Sequence, residues 1–214
     1  TLAEFEGLVA CGGFSYGDVL GAGGGWANSI LFNEDLRTQF GDFFHNENVF
    51  SLGVCNGCQT LSLLKSLIPG ATNWPDFKRN KSEKFEARLV QVSVKDSPSI
   101  FFKDMGDSII TVPVAHGEGR VDASVSDISE LNNNHHTTIT YSDDKGSFTE
   151  DYPANPNGSL NGIAGVTNIS GTVTIMMPHP ERAFLKDQYS WSPDEWTHYS
   201  PWIKFFNNAR EFIN

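Results

Sequence analysis

Short apolar runs, each closed by turn-forming residues, punctuate the chain: "GLVAC" (7–11), "VFSLGVC" (49–55), "ARLVQVSV" (87–94), "SIITVPVA" (108–115), "GIAGVT" (162–167) and "TVTIMM" (172–177). Their length, β-branched content and flanking Gly, Pro and Asn residues predict strands. Between the first two runs, "WANSILFNEDLRTQFGDFF" sets Trp26, Ile30, Phe40 and Phe44 at helical spacing. After the second, "NGCQTLSLLKSLIPG" predicts a helix stopped by Pro69 and Gly70. Strands alternating with helices in this way imply parallel βαβ units. From about residue 85 to 141 the pattern is rich in strands, which predicts an antiparallel insertion. "NNNHH" (132–136) and "DYPANPNGSLNG" (151–162) read as exposed loops and turns. The final "SPWIKFFNNAREFIN" predicts an amphipathic helix with Ser200 as N-cap, Pro201 at the first helical position, and Ile203, Phe206, Arg210 and Ile213 marking its faces. The expected fold is α/β: an open, mostly parallel sheet with helices on both faces and an antiparallel strand insertion.

Composition narrows the partners. The 214 residues contain no linker-like break, so one domain spanning 1–214 is expected. A net charge of −11, from 15 basic against 26 acidic residues, argues against a nucleic-acid partner, which needs clustered positive charge. No apolar stretch reaches the length needed to span a bilayer, so no membrane partner is expected. Three cysteines, at 11, 55 and 58, fit a reducing compartment better than a disulfide framework, and the expected location is cytoplasmic.

Two of those cysteines sit in "SLGVCNGCQT" (51–60), where Gly53, Cys55 and Gly57 form G-x-C-x-G between a strand and a helix. This is the pattern of a nucleophile elbow. A sharp turn there lifts the Cys55 sulfur above the sheet end and aims a helix N-terminus at it, a setting that stabilises a thiolate. The backbone N–H of Asn56 then faces any oxyanion formed. Cys58 falls one turn into the helix. A zinc site would need further ligands at compatible spacing, and the sequence offers only Cys11 in a glycine turn, so no metal is expected. A redox CxxC pair and two buried structural thiols remain alternatives on spacing alone.

A base for Cys55 is found in "MMPHPER" (176–182), where His179 stands between two prolines and Glu181 follows two residues on. On an extended segment those two side chains share a side, so the carboxylate can hold the ring in one tautomer. Nucleophile, base and orienter form the set that generalises the serine triad. The turn "CGGFSYGD" (11–18) follows the first strand and can form a nest of N–H groups. An N–H of Gly12 or Gly13 beside that of Asn56 would complete an oxyanion hole. "GAGGGW" (21–26) is no dinucleotide fingerprint, because Trp26 occupies the place of the third glycine, and no P-loop lysine follows.

With these motifs in view, the chain resembles class I, triad-type glutamine amidotransferase domains. "GDVLGAGGGWANSILFN", "KFEARL", "VPVAHGEGR", "NPNGS" and "IAGVTN" make it similar, over its whole length, to the glutaminase domains of phosphoribosylformylglycinamidine synthases, the formylglycinamide ribonucleotide amidotransferases of purine biosynthesis. The resemblance implies a flavodoxin-like sheet. It also implies that Cys55 attacks the side-chain amide of L-glutamine, that His179 shuttles the proton to the leaving ammonia, and that a glutamyl thioester is hydrolysed. Gly12, Gly13, Phe14 and Asn56 are assigned by it to the oxyanion and substrate site, Gln59 to contact with glutamine, and His116 in "AHGEGR" to the pocket or a partner-domain contact. Further implications are a partner formylglycinamide ribonucleotide synthetase domain on the same polypeptide, with ATP and magnesium there and no cofactor in this domain.

The chain departs from the family pattern at Cys11, where a proline is usual, and at Gly24 or Asn28, where a charged residue often stands. Such domains also open with a strand, a helix and a second strand ahead of "GLVAC", which predicts that this chain is a fragment of a longer enzyme. Rival readings are another cysteine hydrolase or transferase on the same fold, a non-catalytic regulatory module, and a thiol–disulfide protein that uses Cys58.

Overall fold

The apolar runs assemble into a single sheet. In a computed structural model that describes residues 1–14 and 21–214, the strands are β1 (Gly7–Ala10), β2 (Phe50–Val54), β3 (Asp76–Lys78), β4 (Glu86–Val94), β5 (Ile109–His116), β6 (Arg120–Asp122), β7 (Thr137–Tyr141), β8 (Ile163–Thr167) and β9 (Val173–Met176). The α-helices are α1 (Gly24–Leu31), α2 (Glu34–His45), α3 (Asn56–Leu63), α4 (Val125–Asn133) and α5 (Trp202–Phe212). Seven strands lie in the order β1-β2-β9-β8-β7-β4-β5, and β3 with β6 makes a separate ribbon.

β1, β2 and β9 pair in parallel, and the other neighbours pair antiparallel. The α/β class is as expected, and the antiparallel insertion is β4, β5 and β7. Its strands join the main sheet through β8, so parallel pairing covers a smaller part of the sheet than the alternation of elements predicted. Burial follows position. β8 and β9 are buried at every residue and β2 at all but its first, which gives the continuous apolar runs of strands covered on both faces. β5, at the sheet edge, alternates between buried and more exposed residues.

Helices cover both faces. Gly53 of β2 faces α3, where a Cβ would meet the Gly57 carbonyl at 2.7 Å. Phe50, three residues earlier, points to the opposite face, where its ring meets Phe101 edge-on at 5.4 Å. Phe101 in turn stacks on Phe205 of α5 at 4.9 Å.

The six predicted strands are present within a residue or two of their expected ends. The helical pattern from Trp26 to Phe44 is two helices, because Asn33 caps the second by accepting from Leu36 N–H at 3.0 Å. α4, capped by Ser124, lies in the middle segment read as strands and ends in the "NNN" read as loop; β7 begins directly after His136. In α5 the buried face is Trp202, Phe205, Asn208 and Ala209, one position off the face marked by Ile203 and Phe206. The helix starts at Trp202 with Pro201 at the cap position, one residue later than expected, and the Ser200 hydroxyl accepts from Trp202 N–H at 3.1 Å while donating to the Ala183 carbonyl. The "DYPANPNGSLNG" segment is partly interior: Asn155, Asn157 and Ser159 are buried.

Candidate active site

Cys55 occupies a backbone conformation that side-chain-bearing residues avoid, with φ 54° and ψ −109°, between the end of β2 and the start of α3. The turn closes only because its neighbours lack side chains. A Cβ on Gly57 would fall 1.8 Å from the Ala10 carbonyl oxygen of β1, and one on Gly53 would meet the Gly57 carbonyl. The Cys55 N–H donates to the Met176 carbonyl at 2.9 Å, which ties the elbow to β9. Because β2 and β9 are adjacent and parallel, Val54 opposite Met176, the residues that follow them emerge at the same sheet end.

His179 is one of those residues. It is fully buried, and its N–H donates to the Pro113 carbonyl at 2.8 Å. Its Nδ1 lies 2.6 Å from Glu181 Oε1; the expected contact is made, but by a 3₁₀ turn over Pro180–Arg182 that folds the carboxylate back and not by the extended segment expected. Arg182 Nε stands 3.5 Å from the same carboxylate oxygen. Gly12 lies against both side chains: a Cβ there would lie 2.6 Å from His179 Cε1 and 3.1 Å from Cys55 Cβ. Burial of the His179 ring favours its neutral form, but its interactions with Cys55 and the Glu181 carboxylate outweigh burial and push its pKa up to about 9. In the resting site the Cys55 thiol is turned to the Ala115 carbonyl, donating to it across 3.6 Å. His179 Nε2 is buried and has no hydrogen-bond partner among the described residues.

A cavity of about 310 Å³ opens over Cys55. Gly13, Phe14, Asn56, Gln59 and His116, all expected at the site, line it with the cysteine. Phe14 is 93% exposed and stands at the mouth. Gly12 packs behind, against the Cys55 and His179 side chains. The rest of the glycine turn, residues 15–20, lies outside the described residues. Cys58 is fully buried in α3, and burial, reinforced by the nearby Cys55, pushes its thiol pKa up.

Phe85 and Arg182 are among the lining residues that carried no assigned role in the sequence, and Glu118 comes from the "AHGEGR" loop that the resemblance placed at the pocket or a partner-domain contact. Glu118 Oε2 accepts the Ala22 N–H at 3.1 Å, and its carbonyl accepts from the Gln59 amide. Gln59 thereby holds the "AHGEGR" loop over the elbow. Beneath the loop, the Asn80 amide donates to the His116 carbonyl at 2.8 Å and accepts the Gly119 N–H at 3.0 Å. Asn157 of the "NPNGS" segment lies against the His116 ring. Asn80 and Asn157 are buried, and their burial has no local signal in the sequence, where both read as turn residues.

Sequence comparison decides the family: the CobB/CobQ-like glutamine amidotransferase domain matches residues 1–213. The chain belongs to this family. Among solved structures, PurLQS from Thermotoga maritima is similar at 26% identity and a TM-score of 0.71, over 100% of this chain and 82% of that one. A putative GMP synthase protein from Thermoplasma acidophilum, at 15% identity and a TM-score of 0.52 over 99% of this chain and 74% of that one, shares the fold. So does the glutaminase domain of Trypanosoma brucei CTPS with bound acivicin, at 15% identity and a TM-score of 0.50 over 98% and 73%. The resemblance read from the motifs is borne out, and the strand-to-helix turn at Cys55, the His179–Glu181 contact and the cavity supply the geometry on which a reading of the chemistry rests.

Proposed function

We propose that this glutamine amidotransferase domain hydrolyses L-glutamine through a Cys55 thioester and supplies the ammonia to a synthetase that converts formylglycinamide ribonucleotide to formylglycinamidine ribonucleotide. The observation that carries the reading is that Cys55 follows β2 and His179, paired with Glu181, follows the adjacent parallel strand β9, with Cys55 opening on a cavity and Gly12 packed between the two side chains. The motifs shared with phosphoribosylformylglycinamidine synthases, together with the similarity to PurLQS from Thermotoga maritima, support the choice of acceptor.

In this reading the Cys55 sulfur attacks the amide carbon of glutamine, and the thiol proton passes to His179. N–H groups of Gly13 and Asn56 stabilise the oxyanion; one such donor is worth about 2.7–4 kcal/mol in the transition state. Protonated His179 then delivers its proton to the leaving nitrogen, ammonia departs, and water, deprotonated by the same ring, cleaves the thioester to glutamate. Glu181 stabilises the imidazolium formed in each half-reaction. Cys58, buried below the elbow, takes no part. The partner synthetase domain, on the same polypeptide and in the cytoplasm, holds the ATP and magnesium of the coupled step.

The test is Cys55→Ser in the full chain with its partner. Glutamate release from glutamine and glutamine-dependent synthesis should both vanish while synthesis from added ammonium salt persists. Glutamate release at the wild-type rate would overturn the nucleophile assignment, and release of glutamate by the wild type without amidation of the ribonucleotide would overturn the acceptor.

A further inference from the structure

In a chain with a net charge of −11, residues 78–84 carry Lys78, Arg79, Lys81 and Lys84 against Glu83 alone. A cavity of about 410 Å³ opens beside this segment, with Lys81, Ser82, Lys84, Glu150 and Tyr152 in its lining. It shares no lining residue with the cavity over Cys55. Lys78 is spoken for, its ammonium 3.8 Å from Asp76 Oδ2. Neither Lys81 nor Lys84 has an ion-pair partner among the described residues. Glu150, the acid in the lining, turns Oε1 to the Asn161 N–H, which donates to it at 2.6 Å. The lining therefore holds two ammonium groups against one carboxylate that is engaged elsewhere.

The two lysines stand on a fixed base. Asn80, 2% exposed, donates through its amide to the Lys84 and His116 carbonyls at 2.9 and 2.8 Å and accepts the Gly119 N–H at 3.0 Å. The Glu83 N–H closes the turn on the Asn80 carbonyl at 3.0 Å, and the Lys81 N–H donates to the Asn157 carbonyl at 3.1 Å. The Lys81 side chain crosses Gly158, where a Cβ, at φ 78°, would fall 2.5 Å from Lys81 Cδ. The Tyr152 ring is held as well: the Arg88 guanidinium lies over it, 4.8 Å from the centroid, and donates to its hydroxyl at 2.7 Å. A residue capped on one ring face and still 61% exposed presents the other face to solvent. Groups ordered in advance lose less freedom when a ligand arrives.

We propose that this cavity is a second ligand site, for a nucleoside monophosphate, with the phosphate held by the Lys81 and Lys84 ammonium groups beside the Ser82 hydroxyl and the base stacked on Tyr152. Two unpaired ammonium groups suit a phosphate monoester, which lysine binds as a point charge. An open π-face suits a planar base whatever its identity. The volume falls within the range of small-molecule sites. Inorganic phosphate would leave the ring unused, and a neutral aromatic molecule would leave the charges unanswered, so the ligand carries both parts. The site does not depend on how Cys55 acts.

The test uses the full chain, an azido derivative of AMP as photolabel, and AMP as competitor. Irradiation should attach the label to peptides that cover residues 80–84 or 150–158, and AMP should protect them. Because the readout is the labelled peptide, nucleotide held elsewhere on the polypeptide does not enter it. Lys81→Gln combined with Lys84→Gln should raise the AMP concentration for half-protection by about tenfold or more. Tyr152→Leu should do the same, while Tyr152→Phe, which keeps the ring, should stay near wild type; melting temperatures check that each variant is folded. Adenosine and inorganic phosphate, each half of the ligand, should protect only at concentrations about tenfold higher than AMP or more. Absence of label from these peptides in the wild type, or half-protection unmoved in the lysine double variant, would overturn the proposal whatever the variants' stability. Protection by hexaglutamate equal to that by AMP would show that the site reads negative charge alone, as on an acidic peptide, and would overturn the nucleotide.

Discussion

Glu181→Gln isolates the electrostatic part of the base–orienter contact, because the amide oxygen still accepts from His179 Nδ1–H with the same reach. The carboxylate lies 2.6 Å from Nδ1, but its side chain is 44% exposed, so an interior value for the interaction does not apply. A charge-assisted hydrogen bond of about 1.5–3 kcal/mol, weakened by solvent, leaves about 1–1.5 kcal/mol. That is about tenfold in kcat and about one pH unit in the pKa of His179. Once the thiol proton has passed to His179, the ring delivers it to the leaving nitrogen, so activity is lost as pH rises through the pKa at which the ring gives that proton up, raised to about 9. In the variant the alkaline limb should move down by about one unit and kcat should fall about tenfold, while KM stays put, since the imidazolium is stabilised only along the reaction. Glu181→Ala, which also frees the ring, should cost more, about 10²–10³-fold. Stability carries the same sign. A histidine whose folded pKa is raised contributes fully below about pH 6.5 and loses that contribution as pH climbs through about 9. Melting temperatures at about pH 6 and pH 10 should therefore lie closer together in Glu181→Gln than in the wild type. The assay is glutamate release across pH with thermal unfolding in parallel; an unchanged kcat with an unmoved alkaline limb would refute the reasoning.

Cys58→Ser should leave glutaminase turnover close to wild type while lowering stability by about 1–3 kcal/mol, since a hydroxyl replaces a fully buried thiol; loss of turnover in a folded variant would return the thiol–disulfide reading. Gly57→Ala, with its methyl 1.8 Å from the Ala10 carbonyl, should cost about 3 kcal/mol or more in urea unfolding; a neutral result would show that β1 and α3 can separate without harm. His116, with its pKa pushed down to about 3, stabilises the fold above the unfolded pKa of about 6.5 and loses that contribution as pH falls, a linkage of about 4–5 kcal/mol. His116→Gln should therefore move the midpoint of acid unfolding to lower pH, and an unmoved midpoint would mean that the ring is solvated as it titrates.

Much of the chemistry was legible because it is local. The glycines around Cys55 and the prolines around His179 constrain the backbone within a few residues, so their consequences could be read without knowing what lies opposite. The strands were legible for a similar reason: β2 and β9 are buried on both faces, and their apolar runs say so directly. What escaped were features decided by distant partners. α4 was hidden because the buried residues of its nine, Ile128 and Leu131, are too few to make a periodic stripe. Asn80 and Asn157 look like turn residues in sequence, and they become interior only because the ends of β5 and of the segment before β8 meet. The face of α5 was displaced because Asn208, polar in sequence, is buried by its bonds to the carbonyls of Phe101 and Lys103. The extent of antiparallel pairing was underestimated because strand order is a property of the whole sheet, which no single run reports.

The tie between Cys55 N–H and the Met176 carbonyl has a consequence for how such a domain can change over generations. Cys55 and His179, the nucleophile and base of the proposed reaction, follow neighbouring strands of one sheet, whereas much of the cavity wall comes from the turn after β1 and the loop after β5. Alterations in those walls reshape what is admitted without disturbing the machinery that cuts it. Grafting the "AHGEGR" loop of one such domain onto another should accordingly transfer preference among amide substrates while the rate of thioester breakdown stays with the recipient scaffold, so that selectivity and reactivity behave as separately heritable traits.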